Sequence, residues 1–192
     1  MKIFVPKEIN NEKRVAASPD TVKKFIDLGH SVVIETGAGT SSNFGDNHYL
    51  EAGASIASEA SSADIILKVG KPSLEEISTY KNGSILIAML DPFNNRELVD
   101  QMRNKDIISF AMEWMPRITR AQSMDVLSSQ SNLAGYKAVI QASNSFNKAM
   151  PMMMTAAGTI APAKVMVFGA GVAGLQAIAT AKRLGAVVSA TD

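Results

Sequence analysis

The sequence predicts an α/β protein built from two parallel-sheet domains with helices on the sheet faces. Three observations carry that expectation. Short apolar runs alternate with amphipathic stretches along most of the chain, the pattern of strands joined by crossover helices. A glycine-rich turn near residue 170 stands between such a run and a helical stretch. The composition is that of an ordinary globular chain, 46% hydrophobic and 19% charged over 192 residues.

The elements follow in order. Residues 2–5 read as a buried strand. Residues 19–28 read as a helix, with Val22, Phe25, Ile26 and Leu28 on one face and Gly29 as its stop. Residues 31–35 form a second strand, closed by Gly37 and Gly39. The stretch 40–62 is less defined, with a short helix at 46–52 and a short edge strand at 54–57. A strand at 65–69, a helix at 74–80, a strand at 84–90, a helix at 96–103 and a strand at 107–112 complete this region.

Beyond Met112 the pattern changes. Thr119 and Gln122 have the spacing of a capping box, and one long helix is expected over 120–147, open to interruption at Gly135 or Asn144. A helix of that length, ~40 Å at 1.5 Å per residue, suits a link between domains. The boundary is therefore placed at Gly135, giving an N-terminal domain of residues 1–135 and a second domain of 136–192.

The second domain holds the sharpest motif. A strand run, Lys164-Val-Met-Val-Phe168, leads into Gly169-Ala-Gly171-Val-Ala-Gly174, then a helical stretch, then a strand ending on Asp192. Alone, a G-x-G-x-x-G spacing is weak evidence. In this context each glycine has its own role. Gly169 allows the tight turn, Gly171 the close approach of a pyrophosphate, and Gly174 the close packing of helix on strand. The following helix, opening at Val172 and Ala173, aims unpaired N–H groups and a partial positive charge at that pyrophosphate. Asp192 lies 18 positions past the last glycine, near the spacing at which a carboxylate takes adenosine ribose hydroxyls. It argues for NAD(H) over the 2′-phosphorylated form. Both domains are thus expected to be Rossmann-like, the second breaking off after its first βαβ unit, as in a fragment.

Several classes are excluded. The net charge of +1 gives no field for nucleic acid or an acidic membrane. With no cysteine there are no disulfides, thiolate nucleophiles or Cys-type metal sites, and no metal is expected. The apolar start is too short for a signal peptide. No apolar run approaches the ~20 residues of a membrane-spanning helix, so this stretch is expected to be soluble.

At this point the residues resemble a known family. Lys7-Glu8, Arg14-Val-Ala16, Pro19, Gly29-His30, Glu35-Thr-Gly-Ala-Gly39 and Lys68-Val69 are similar to the N-terminal pattern shared by alanine dehydrogenases and the alpha subunit of proton-translocating nicotinamide nucleotide transhydrogenases. The stretch from Met115-Pro-Arg117 through Gln130 resembles specifically the transhydrogenase NAD(H)-binding component, as does Pro151-Met-Met-Met-Thr-Ala-Ala-Gly158-Thr159. The resemblance implies two α/β domains with NAD(H) in the cleft between them, in a homodimer. It further implies direct hydride transfer to NADP(H) on a partner component, coupled to proton movement by a membrane component. The site would face the cytoplasm or the mitochondrial matrix. Carried over by residue, Arg117, Asp125 and Ser128 would hold the nicotinamide carboxamide and ribose, and Gln122 would face the incoming nucleotide. Arg117, Gln122 and Asp125 are the candidate catalytic residues. A fragment of this kind would carry the site's outline without full activity.

The two branches of the family differ in chemistry. Oxidising alanine needs a proton acceptor and a cation for the substrate carboxylate. In sequences resembling alanine dehydrogenase, a His and a second Lys stand where this chain has Asp91 and Gly70; Lys71, one residue on, is a partial substitute. Of the two histidines, His30 suits a structural turn and His48 has no evident partner. Hydride exchange between two nicotinamides needs only ring contact and exclusion of water. Plainer readings stand beside these. Arg117 and Asp125 fit a surface ion pair. Gln122, Asp125 and Ser129, at i, i+3 and i+7, fit the solvated side of a helix. The resemblance to the alanine dehydrogenase branch implies a carboxylate anchor at Arg14, whereas in the transhydrogenase branch it fits a loop anchor; Met152–154 fit flexible packing or the cleft lining. A non-catalytic dimerising fragment is the remaining alternative.

Overall fold

The computed structural model describes residues 1–58 and 62–192. The chain falls into two compact units, Met1–Pro116 and Arg117–Asp192.

The first unit is a six-stranded parallel sheet. Its elements are β1 (Lys2–Val5), α1 (Pro19–Asp27), β2 (Ser31–Glu35), α2 (Asp46–Glu51), β3 (Ser55–Ala57), β4 (Ile65–Leu67), α3 (Leu74–Thr79), β5 (Ile85–Ala88), α4 (Arg96–Asn104) and β6 (Ile108–Ala111). The strands lie in the order β3-β2-β1-β4-β5-β6, every neighbouring pair parallel. Alternate side chains of each strand enter opposite faces. Ile3, Val5, Val32 and Ile34 pack with Val22, Tyr49 and Ala52 from α1 and the α2 end. Phe4, Val33, Ile66 and Leu86 pack with Ile77, Tyr80, Leu98 and Met102 from the α3 and α4 side. Burial on both faces explains why the central strands read as unbroken apolar runs.

Helix starts follow local chemistry. Ser18 caps α1 by accepting from the Thr21 amide, with Pro19 at its first position. Ser73 and Glu76 form a reciprocal capping box on α3. The short helix and edge strand expected within 40–62 are present as α2 and β3, and residues 59–61 lie outside the described residues. Two strands end sooner than their apolar runs suggest. β5 ends at Ala88, and beyond it the Leu90 and Asp91 amides donate to the Glu113 carboxylate, at 3.0 and 2.5 Å. β4 stops at Leu67, and the Val69 and Gly70 amides turn to Glu8.

The second unit holds α5 (Val126–Ser145), a hairpin of β7 (Met153–Thr155) and β8 (Gly158–Ile160), then β9 (Lys164–Phe168), α6 (Val172–Arg183) and β10 (Val187–Thr191). β9 and β10 pair in parallel and α6 connects them. The long helix expected over 120–147 is shorter. Residues Thr119–Met124 make a 3-10 turn whose N-terminus has no side-chain cap, so the Thr119/Gln122 capping box does not form. Asp125 is the cap instead, with extended backbone that breaks the helical path before Val126. Gln122 and Asp125 therefore do not share a helical face with Ser129. Gly135 does not interrupt α5. A Cβ there would come within 2.1 Å of the Ala173 carbonyl oxygen, so glycine is what lets α5 close on α6. The Met152–154 run is exposed on the hairpin rather than packed in a core.

Candidate functional site

The glycine turn joins β9 to α6. Gly169 closes β9 with φ +95°, a conformation open to glycine at little cost, and its amide donates to the Thr191 carbonyl at 2.8 Å. Gly171 begins α6 without a side-chain cap. The first N–H groups of a helix have no intrahelical acceptor, so Val172, Ala173 and Gly174 offer donors to an anion. Space in front of Gly171 is open: a Cβ built there meets nothing within 4 Å. Gly174 is the opposite case, since its Cβ would stand 1.8 Å from the Gly169 carbonyl oxygen. The close approach is thus of helix on turn, with Val167 of β9 next at 3.7 Å. Asp192 reaches back to this turn, accepting from the Ala170 amide at 2.9 Å.

The 117–128 stretch belongs to the same unit. Asp125 accepts from the Ser128 amide at 2.9 Å and from the Ser128 hydroxyl at 2.6 Å. These bonds, the hydroxyl first, hold the Asp125 carboxyl below its usual range, and the nearby Arg117 charge adds to them. Arg117 makes no direct ion pair with Asp125 among the described residues; it and Gln122 are exposed. The structure therefore brings Asp125 and Ser128 into contact and leaves Arg117 and Gln122 displayed beside them in sequence. The surface ion pair is absent, and the N-cap role of Asp125 is one that spacing alone did not reveal.

The other candidates are absorbed by the first unit. Arg14 grips Glu12 through two nitrogens, at 2.9 and 2.6 Å. That hydrogen bonding is the main reason the Glu12 carboxyl is lowered to about 2. Its folded pKa lies below the unfolded value, so the unfolded chain binds the proton more tightly. The stabilisation is complete above about pH 5 and is lost as pH falls through about 2. Arg14→Gln is expected to return the Glu12 titration to the ordinary carboxylate range, as read by carboxyl-carbon NMR; an unmoved titration would contradict this. His48 does have a partner, its Nδ1 accepting from the Gly45 amide at 3.1 Å. Asp91 accepts from Asn94 and Asn95 within its own loop. Lys71 donates to Asn95.

A cluster that the sequence showed only as scattered motif residues lies at the C-terminal ends of β1 and β4. Lys68 is fully buried between Glu76, 2.7 Å away, and Glu8, 3.5 Å away. Nearby in the same unit, Phe93, Arg96, Phe110 and Trp114 line a mostly apolar groove of about 490 Å³, where the Phe93 and Trp114 rings lie 4.8 Å apart.

Parallel sheets with crossover helices, one carrying a glycine turn that opens a helix, define a Rossmann-like α/β chain. The chain belongs to the alanine dehydrogenase/PNT family, matching its N-terminal domain over residues 4–134 and its C-terminal domain over residues 138–192. It is similar to the first portion of the NAD(P) transhydrogenase subunit alpha of Rhodospirillum rubrum, 54% identical over 202 residues, covering all of this chain and 53% of that protein. The crystal structure of transhydrogenase from Sinorhizobium meliloti superposes with a TM-score of 0.97 at 57% identity, over all of this chain and 59% of that one. An L-alanine dehydrogenase structure follows at a TM-score of 0.85 and 30% identity, over all of this chain and 55% of that one. The chain spans about half the length of the curated transhydrogenase relative. The family division falls between residues 134 and 138, whereas compactness divides the chain after Pro116. No helix among the described residues is long and apolar enough to cross a membrane.

Proposed function

We propose that this chain is the NAD(H)-binding portion of a proton-translocating NAD(P) transhydrogenase. NAD(H) lies with its pyrophosphate at the 169–174 turn and its adenosine ribose at Asp192. Arg117, Asp125 and Ser128 hold the nicotinamide carboxamide and ribose, and Gln122 faces a nucleotide carried by a partner component. Nicotinamide C4 supplies or receives the hydride; the protein's contribution is to hold the ring in place and keep water out. The functional protein is a homodimer associated with NADP(H)-binding and membrane components, on the cytoplasmic or matrix side. The domain division near Gly135 belongs to the same proposal.

The observation that carries this reading is the open, uncapped start of α6 behind Gly171, in a chain similar to transhydrogenase subunits along its whole length. The absence of an acid–base requirement in hydride exchange fits the remaining residues. Asp91, where an alanine dehydrogenase-like sequence has His, is engaged in shaping its own loop. Asp125 is already an N-cap, yet its oxygens keep lone pairs for a ribose hydroxyl or carboxamide N–H.

In the full-length protein, Arg117→Ala and Gln122→Asn are expected to slow hydride transfer to a bound NADP+ analogue about 100-fold, a loss typical of a misplaced reacting group. NADH affinity should change far less. Single-turnover transfer rates beside NADH titration separate the two effects, and unchanged rates would remove both residues from the site. The 192-residue chain alone is expected to bind NADH weakly; tight binding in a calorimetric titration would contradict that.

A further inference from the structure

Both groups proposed to hold the dinucleotide stand at the start of a helix in the second unit. Asp125 and Ser128 are at the N-terminus of α5, and the amides of Val172, Ala173 and Gly174 are at the N-terminus of α6. One ligand engages both groups only if the two helix starts keep a fixed separation. The residues that fix it lie further along, between the helices.

Asn132, Gly135 and Val139, at i, i+3 and i+7, share one face of α5, and Gly135 and Val139 are buried. A Cβ at Gly135 would stand 2.1 Å from the Ala173 carbonyl oxygen and 2.8 Å from the carbonyl carbon. Ala173 belongs to the first turn of α6, so α5 presses on the turn whose amides face the pyrophosphate. One residue on, at Gly174, the same turn lies equally close to the Gly169 carbonyl. The opening turn of α6 is thus held between two backbone contacts, one with the glycine turn after β9 and one with α5. Asn132 adds a polar link. Its side chain donates to Gln176 Oε1 at 3.2 Å, and Gln176 Nε2 donates to the Thr180 hydroxyl at 3.1 Å. Thr180 is buried, and its hydroxyl donates in turn to the Gln176 carbonyl at 2.8 Å. That chain of bonds turns the Gln176 oxygen toward Asn132.

We propose that Gly135 and Asn132 are positioning residues for hydride transfer: their contacts with the first turns of α6 set the spacing between the nicotinamide-ribose group and the pyrophosphate amides. The proposal rests on the dinucleotide placement given above. Gly135 lies seven residues beyond Ser128, roughly 10 Å along the helix at 1.5 Å per residue, so it acts through α6 and not on the ring. Gly135→Ala has to displace the Ala173 carbonyl by roughly 1 Å to restore ordinary contact, and a misplacement of that size costs about 100-fold in rate.

The test uses the full-length protein with its partner components. ADP probes the pyrophosphate end alone, and NADH probes both ends together. In Gly135→Ala, single-turnover transfer to an NADP+ analogue is expected to fall about 100-fold and NADH affinity about tenfold, with ADP affinity kept within about twofold. Equal losses of NADH and ADP affinity would overturn the proposal, since they would mark a general loss of structure. So would a parental transfer rate. Asn132→Ala and Gln176→Ala leave the backbone contact intact and carry the test if Gly135→Ala does not fold. Each is expected to slow transfer about fivefold, and the double variant no more than either alone. Parental rates in both single variants, or losses that multiply in the double variant, would overturn the proposal. A parent protein that binds neither NADH nor ADP would overturn the dinucleotide placement itself, and this proposal with it.

Discussion

Lys68→Ala is expected to destabilise the first unit by about 3–5 kcal/mol, the range for breaking a buried charge pair by removing one partner. The wild-type side chain is fully enclosed, with Glu76 at 2.7 Å and Glu8 at 3.5 Å. Removing it leaves the Glu8 carboxylate buried, with the Val69 and Gly70 amides as its hydrogen-bond donors among the described residues. Glu76 is less affected, being partly exposed and also bound to the Ser73 amide. The penalty is therefore chiefly that of Glu8. Trp114, the only tryptophan, lies in this unit, and its fluorescence during urea unfolding reports the loss. A midpoint equal to that of the parent chain would show that the cluster is solvated and not a buried pair.

The second large effect separates two glycines of one motif. Gly174→Ala places a methyl group 1.8 Å from the Gly169 carbonyl oxygen. Both atoms are fixed by backbone, so no side-chain rotation relieves the clash. A loss of about 3 kcal/mol is expected, at the upper end of overpacking penalties, with faster amide exchange in α6. Gly171→Ala meets nothing within 4 Å and its φ of −68° suits alanine, so the fold should be unchanged. Its effect should be confined to dinucleotide binding, where the methyl group would stand in the way of the pyrophosphate. Comparable melting of the two variants would contradict this division of roles.

The alternation of strands and helices is legible because burial on both faces of the sheet makes the central strands apolar throughout. At the ends of two strands, side chains remote in sequence engage the backbone where the apolar run continues. The runs at 65–69 and 84–90 are longer than β4 and β5, and Glu8 and Glu113 take amides at their ends. No short-range pattern announces those partners. At the start of α5 two caps compete, Thr119 with Gln122 and Asp125 with Ser128. The second pair prevails, its carboxylate receiving both the Ser128 amide and the Ser128 hydroxyl.

The candidate site divides in the same way. The glycine turn is legible because each glycine answers a local geometric need. Arg117 and Gln122 carry no such signature, being exposed polar residues whose significance comes only from the resemblance of the surrounding stretch. Gly135, which in the sequence reads as a possible break, is a helix–helix contact, and spacing cannot distinguish those two uses of glycine.

The most direct test of the central reading is a paired assay on the full-length protein with its partner components. Hydride transfer from NADH to an NADP+ analogue is followed beside alanine-dependent reduction of NAD+. Rapid transfer between the nucleotides and no turnover of alanine are expected. Robust alanine oxidation without transfer between the nucleotides would contradict it.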